Sequence, residues 1–145
     1  MDENATGGAI VTLREAIYNY LSGYTGLTDL VSTRIYSQVM PQGVVYPAVS
    51  YQVISPGTVN HLMNSDSGLY KDPQVQVSSW ASTQSSGDAV AVQVSAALQD
   101  YSGTMGGDGG ITVQRVFLLT PQPLELPQSG GNLFQYVHDF RVVYT

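Results

Sequence analysis

The stretch that decides the fold is 73-PQVQVSSWASTQSSGDAVAVQVSAALQDY-101. Its first part alternates, with Val75 and Val77 on one side and Gln74 and Gln76 on the other, the period of a half-buried strand opened by Pro73. Trp80 falls on the glutamine parity. Either a bulge at Ser78-Ser79 resets the alternation or Trp80 covers the opposite face; the second is favoured, because a helix follows directly and can fold over that face. The period then changes to that of a helix: Val90, Ala91, Val94, Ala97, Leu98 and Tyr101 share one face. Ser82, Thr83 or Ser85 supplies an N-cap, Asp88 lies in the first turns where the helix dipole favours an anion, and the small Ala91 and Ala97 permit close packing on a sheet.

Toward the N-terminus, Val49, Tyr51 and Val53 alternate against Ser50 and Gln52 until Pro56-Gly57 ends the run. Residues 57–72 hold Gly, Asn, Ser and Asp without a sustained period, so a long loop is expected there. Pro41, Gly43 and Pro47 break the chain further upstream. Over residues 9–24, Ile10, Leu13, Ala16, Ile17, Tyr20, Leu21 and Tyr24 share a helix face; Thr12 and Glu15 have capping-box spacing, and Thr6 offers an earlier start. Gly23 and Gly26 mark the end, and Thr25 can cap one further turn over residues 27–31.

Two strands close the chain. Residues 111–119 set Ile111, Val113, Phe117 and Leu119 against Thr112 and Gln114, with Arg115 on the apolar parity. Residues 133–144 place Phe134, Tyr136, His138, Phe140, Val142 and Tyr144 on one face. The connection, residues 120–131, contains Pro121, Pro123, Pro127, Gly130 and Gly131 and is long for a hairpin, which commonly takes about two to five residues. The order helix, strand, strand, helix, strand, strand predicts an α+β fold: one antiparallel sheet of about four strands, two helices on one face, and long hairpin loops. Residues 1–145 read as one domain with a flexible start over residues 1–8.

Composition narrows the function classes. Only 11% of the 145 residues are charged, against roughly 25% in an average domain, and the net charge is −6. Five basic residues do not make a phosphate-neutralising face. The absence of cysteine excludes disulfides, thiolate metal sites and cysteine nucleophiles. The start Met1-Asp2-Glu3-Asn4 lacks the basic region of a signal peptide, and no run approaches the roughly 20 apolar residues of a membrane helix, so a cytoplasmic chain or a part of a larger particle is expected.

The usual chemical motifs fail in turn. Lys71 is the sole lysine and has no glycine before it at P-loop spacing. Glycine-rich residues 103–110 join a helix to a strand, the reverse of a dinucleotide fingerprint, and read as a turn. His61 and His138 lack carboxylates at ligand spacing, and residues 64–68 lack the terminal glutamate of a calcium loop. Asp139 and Arg141 share a strand face and can pair. No catalytic, cofactor or metal residue is expected. A small ligand-binding or hydrolase domain built around His61 and Asp66 is the alternative from another class. The exposed Tyr, Gln, Met and Pro of the long loops suit protein contacts, and scarce lysine suits sheet edges covered by neighbours.

Several short pieces also carry a resemblance: Arg34-Ile35-Tyr36, then Pro41-Gln42-Gly43 and Tyr46-Pro47 before the strand Val49-Ser50-Tyr51, and Val75-Gln76-Val77-Ser78-Ser79-Trp80-Ala81 running into a helix. Over roughly residues 9–144 the chain resembles the tail-completion and tail-terminator proteins of long-tailed bacteriophages and related tail-like particles. The resemblance implies a structural virion protein, not an enzyme. It would form a ring, typically hexameric, that caps the head-proximal end of the tail tube, ends tube growth and joins tail to head. Its partners would be its own copies, the tail tube protein and head-completion or connector proteins. DNA would cross the lumen without being held, and assembly would take place in the host cytoplasm. A head-completion connector or another tube component is the alternative within the same class. A cyclic ring needs heterologous contacts. The expected sources are the loop over residues 120–131, with Pro121, Pro123, Leu124, Leu126 and Pro127, and the loop over residues 57–72, with His61, Leu62, Met63 and Tyr70.

Overall fold

The computed structural model describes residues 12–55, 59–61, 69–107, 110–120, 124–127 and 133–145. In chain order the elements are α1 (Leu13–Ser22), α2 (Thr25–Val31), β1 (Ile35–Ser37), β2 (Ala48–Ser55), β3 (Val59–His61), β4 (Leu69–Lys71), β5 (Gln74–Ala81), α3 (Gln84–Leu98), β6 (Gly103–Met105), β7 (Ile111–Leu118), β8 (Leu124–Pro127) and β9 (Phe134–Tyr144). The four long strands lie in the order β2-β5-β9-β7 and are antiparallel throughout; β1 adds parallel to β2 at one edge and β6 antiparallel to β7 at the other.

The expected architecture is thus present but incomplete. Three helices replace two, and five short strands join the four expected ones. The segment expected as a loop over residues 57–72 contains β3 and β4, which prolong the β2/β5 hairpin: Val53 faces Val75, Ser55 faces Gln74 and Val59 faces Lys71. The second expected loop contains β8, which resumes the pairing of β7 on β9, with Leu124 opposite Val137 and Pro127 opposite Phe134. Both were hidden for one reason. These strands are three or four residues long and are held by a partner's hydrogen bonds, so they carry no periodicity of their own.

At its N-terminus α1 has the expected reciprocal cap. Thr12 Oγ1 accepts the Glu15 N–H at 3.2 Å and Glu15 Oε1 accepts the Thr12 N–H at 3.1 Å, which holds the Glu15 carboxyl below its ordinary value. α2 begins at Thr25 after Tyr24, without a side-chain cap, so Thr25 is its first residue and not its cap. Arg34 binds two carbonyls, Pro47 O through Nε at 2.9 Å and Leu30 O through Nη2 at 3.5 Å, and so ties the end of α2 to the entry of β2. The Tyr46–Pro47 peptide is cis.

All three helices share one core with the sheet. Leu13, Ala16, Ile17 and Leu21 of α1, Leu27 and Val31 of α2, and Val90, Val94 and Leu98 of α3 pack with Val49, Tyr51, Val75, Val77, Phe140 and Val142. Each fully buried Leu, Ile, Val or Phe contributes about 1.5–3 kcal/mol, so this face dominates stability. α1 touches β1 at one end of the sheet and β6 at the other, so the sheet curls around it. Tyr20 Oη donates to Ala97 O of α3, and Tyr51 Oη donates to Arg14 O of α1 at 3.1 Å.

Three expectations about faces are corrected or resolved. The register of β5 runs unbroken through Ser78 and Ser79, so no bulge sits there and Trp80 does face away from the valines. The helix that follows does not cover it, however: α3 packs on the valine face, because its apolar stripe seeks the larger apolar surface. In β7 a register shift between Val113 and Arg115 turns the following residues over. Val116 is therefore buried, whereas Phe117 and Leu119, expected inside, are exposed. Arg115 leaves the core and pairs with Asp100 at 2.8 Å. The glycine-rich segment is a hairpin turn between β6 and β7, with Gly106 and Gly107 at φ of 98° and 76°.

Two features of the α3 interface carry consequences. Gly87 lies flush on Tyr136, and a Cβ there would stand 2.2 Å from the ring, whose hydroxyl donates to Gln84 O at 3.2 Å. Gly87→Ala gains up to about 1 kcal/mol of helix propensity but costs about 1–3 kcal/mol through overpacking; a lowered melting temperature is expected, and an unchanged or raised one contradicts the contact. His138 is 2% exposed on the core face, its Nδ1 has no hydrogen-bond partner among the described residues, and burial pushes its pKa below the ordinary 6.5. The unfolded chain therefore binds a proton that the native chain refuses. Stability should hold above pH about 6.5 and fall as pH drops through it toward the folded-state value. Urea unfolding from about pH 7.5 to about pH 5 should show this slope flattened in His138→Gln.

Candidate assembly surface

The expected contact residues sit on two arms. His61 is in β3 and Tyr70 in β4, where Asn60 faces Tyr70 and His61 faces Leu69. Leu124, Leu126 and Pro127 form β8, opposite Val137, Gln135 and Phe134. Leu62, Met63, Pro121 and Pro123 lie outside the described residues. The two arms are not brought together. β4 meets β9 at Tyr144 and β8 meets it at Phe134, opposite ends of one strand, about 33 Å apart at the rise of a β-strand. Strand pairing, and not loop chemistry, positions them.

Between the arms runs a sheet face that no described helix covers. At its centre stand Ser50, Gln52, Gln76, Ser78, Trp80 and Gln135, which with Gln38 and Tyr51 line a shallow recess of about 110 Å³ without a formal charge. The groups satisfy one another: Trp80 Nε1 donates to Ser50 Oγ at 2.9 Å and Gln135 Nε2 to Ser78 Oγ at 3.0 Å. The alternation of the long strands predicted this uncharged face, since Ser50, Gln52, Gln76, Ser78, Trp80 and Gln135 all have the parity opposite to the core residues of their strands.

Toward β7 the same face gains charge and apolar surface. Phe117 is 44% exposed and has the Arg115 guanidinium 5.5 Å from its ring centroid. The expected Asp139–Arg141 pair does not form. Asp139 Oδ1 is buried without a partner among the described residues, and burial pushes the carboxyl pKa up. Antiparallel pairing of β9 on both edges fixes the backbone of this residue, and residues two apart on one strand stand too far apart to pair unless the side chains reach along it.

Chemistry of the enzymatic kind finds no assembled site among the described residues. Among the described residues no group of three His, Asp or Glu side chains could hold a metal ion. Asp66, the expected companion of His61, lies outside the described residues. Ser79 and His138 are diagonal neighbours on β5 and β9, a juxtaposition that only the strand register reveals. They are 0% and 2% exposed beneath α3, so no substrate reaches them. A surface groove of about 420 Å³ lies between α1 and β1 and is lined by Arg14, Tyr18, Tyr36 and Val39 among others, without a convergent set of catalytic groups.

Residues 15–145 match the family model of the tail completion protein gp17. A chain from the virion of a native gene transfer agent (GTA) particle shares the fold, with a TM-score of 0.69 at 19% identity over 91% of this chain and 93% of that one. No curated protein matches by sequence.

Proposed function

We propose, from the premise that this chain belongs to the tail completion protein gp17 family and is a structural protein of a phage-type virion, that its copies close into a ring capping the head-proximal end of the tail tube. The observation that carries this reading is the placement of β3/β4 and β8 at opposite ends of β9. A part inserted between tube and head needs two unlike ends, and one strand with an arm at each end supplies them. The cap ends tube growth by offering the next component a different surface from the one it binds.

The same surface accounts for the rest of the role. Cyclic closure uses heterologous contacts, one patch of each copy meeting a different patch of the next. The centre of the helix-free face carries no formal charge, so little desolvation of ions opposes its burial. The net charge of −6 disfavours retention of DNA crossing the lumen, because a wall without a basic cluster releases few counterions on contact. The chain is a building block and not an enzyme, with tube protein on one side and a head-completion or connector protein on the other.

Native mass spectrometry and electron microscopy test the reading. Wild-type protein alone or mixed with tail tubes should give closed rings. The β8 double variant L124E/L126E should remain folded by circular dichroism but lose ring formation, because two carboxylates then enter the contact. A wild-type chain that stays monomeric even on tubes contradicts the proposal.

A further inference from the structure

The five basic side chains of this acidic chain are used unequally. Arg34 binds two carbonyls, and Arg115 pairs with Asp100. Arg14 and Lys71 are exposed, and neither forms an ion pair with a carboxylate among the described residues. Both line one groove of about 330 Å³, which lies between the first turn of α1 and the C-terminal ends of β2, β4 and β9. Its apolar wall is made by Leu13 and Pro73, both buried, the half-buried Tyr144 and the exposed Val53. The Lys71 ammonium stands 5.5 Å from the centroid of the Tyr144 ring. No carboxylate lines the groove, and Glu15, next to Arg14 in the chain, is committed to the α1 cap. Two uncompensated cations beside an apolar wall, in a chain of net charge −6, are the complement of an acidic segment with apolar flanks.

The sequence holds one segment of that kind. Glu125 is the only acid in it with leucine on both sides, in Leu124-Glu125-Leu126-Pro127, which is the whole of β8. Other acids are engaged elsewhere: Glu15 in the cap, Asp100 on Arg115, and Asp139 with its Oδ1 buried in the sheet. β8 pairs with β9 and with no other described strand, so one of its edges is open among the described residues. A copy cannot fill its own groove in this way. Leu124, the nearest residue of β8, stands opposite Val137, seven residues along β9 from Tyr144, about 23 Å at the rise of a β-strand.

We infer that the groove beside Arg14 and Lys71 receives β8 of the next copy, with Glu125 between the two cations and the flanking leucines on the apolar wall. The occupant is a second copy of this chain. The two arms that one copy holds apart thus meet across a subunit boundary, since Lys71 belongs to β4. The two patches are unlike and lie toward opposite ends of β9, as the heterologous contact of a cycle requires. Inclined to the ring axis, β9 brings one end to the neighbour and still keeps that end nearer one rim, so the contact agrees with the two unlike ends proposed above. A carboxylate placed between two cations also rejects wrong pairings, because a cation in its place would meet two like charges. The inference rests on the ring reading above and names the contact that builds the ring.

Charge reversal in the full chain tests the contact, with circular dichroism to check that each variant folds. E125K and R14E/K71E should each need a concentration about tenfold or more above wild type to form rings in native mass spectrometry, because like charges then meet. E125Q, which keeps the shape and removes the charge, should fall between them and wild type. Mixing E125K with R14E/K71E in equal amounts should restore rings in which the two variants alternate. Each reversed arm then meets a reversed groove, and each native arm a native groove. Rings of E125K at the wild-type concentration, or a mixture that stays without rings, overturn the inference and leave the ring standing. Loss of rings in D2K/E3K that is restored by mixing with R14E/K71E means that the groove holds the N-terminal segment, which overturns it as well. Closed dimers in place of rings indicate a reciprocal contact and also overturn it. A wild-type chain that forms no ring, alone or on tubes, defeats the ring reading itself.

Discussion

Everything in this molecule is referred to β9. Its eleven residues are paired on one edge by β5 and β4 and on the other by β7 and β8, so its position is set by hydrogen bonds along both sides of its length. A strand held in that way has one allowed register, because a slip of one residue would exchange the core face for the open face. From that single register follow the buried set Tyr136, His138, Phe140 and Val142, the opposite set beside Gln76, Ser78 and Trp80, and the positions at which the two arms leave the sheet. The helices then close one face only. α1 reaches both ends of the curled sheet, α3 lies over its middle, and no described helix covers the other face.

Much of this could be read without coordinates wherever local period and burial agree. The stripe Val90, Val94, Leu98 does bury α3, the Thr12–Glu15 cap forms, and the four long strands occur where alternation placed them. Residues whose environment depends on a distant partner could not be read. Phe117 looked like core because alternation continues through Gln114, whereas a register shift against β9 reverses the faces after Val113. β3, β4 and β8 are strands by pairing and not by pattern, so His61 and Tyr70, and Leu124, Leu126 and Pro127, were legible as parts of two separate loops but not as members of strands. Trp80 had the right face and the wrong cover. The buried neighbours Ser79 and His138 had no signal at all, because a diagonal relation across two strands separated by more than fifty residues exists only in the folded register.

The scarcity of charge now has a structural location. The uncharged Gln, Ser and Trp side chains occupy the centre of the helix-free face, where they bind one another and present polar groups without ionic hydration to lose. A contact made through such a surface lacks the selectivity of a charged patch, so its specificity comes from shape.

The central claim is that this chain ends the growth of a tail tube, and the length of the tube is the quantity that reports it. Electron micrographs of tails assembled with the protein present and with it removed measure that length directly. The account predicts a narrow length distribution with the protein, and overlong tubes that fail to join heads without it. Tails of the same length that join heads equally well in its absence would contradict it.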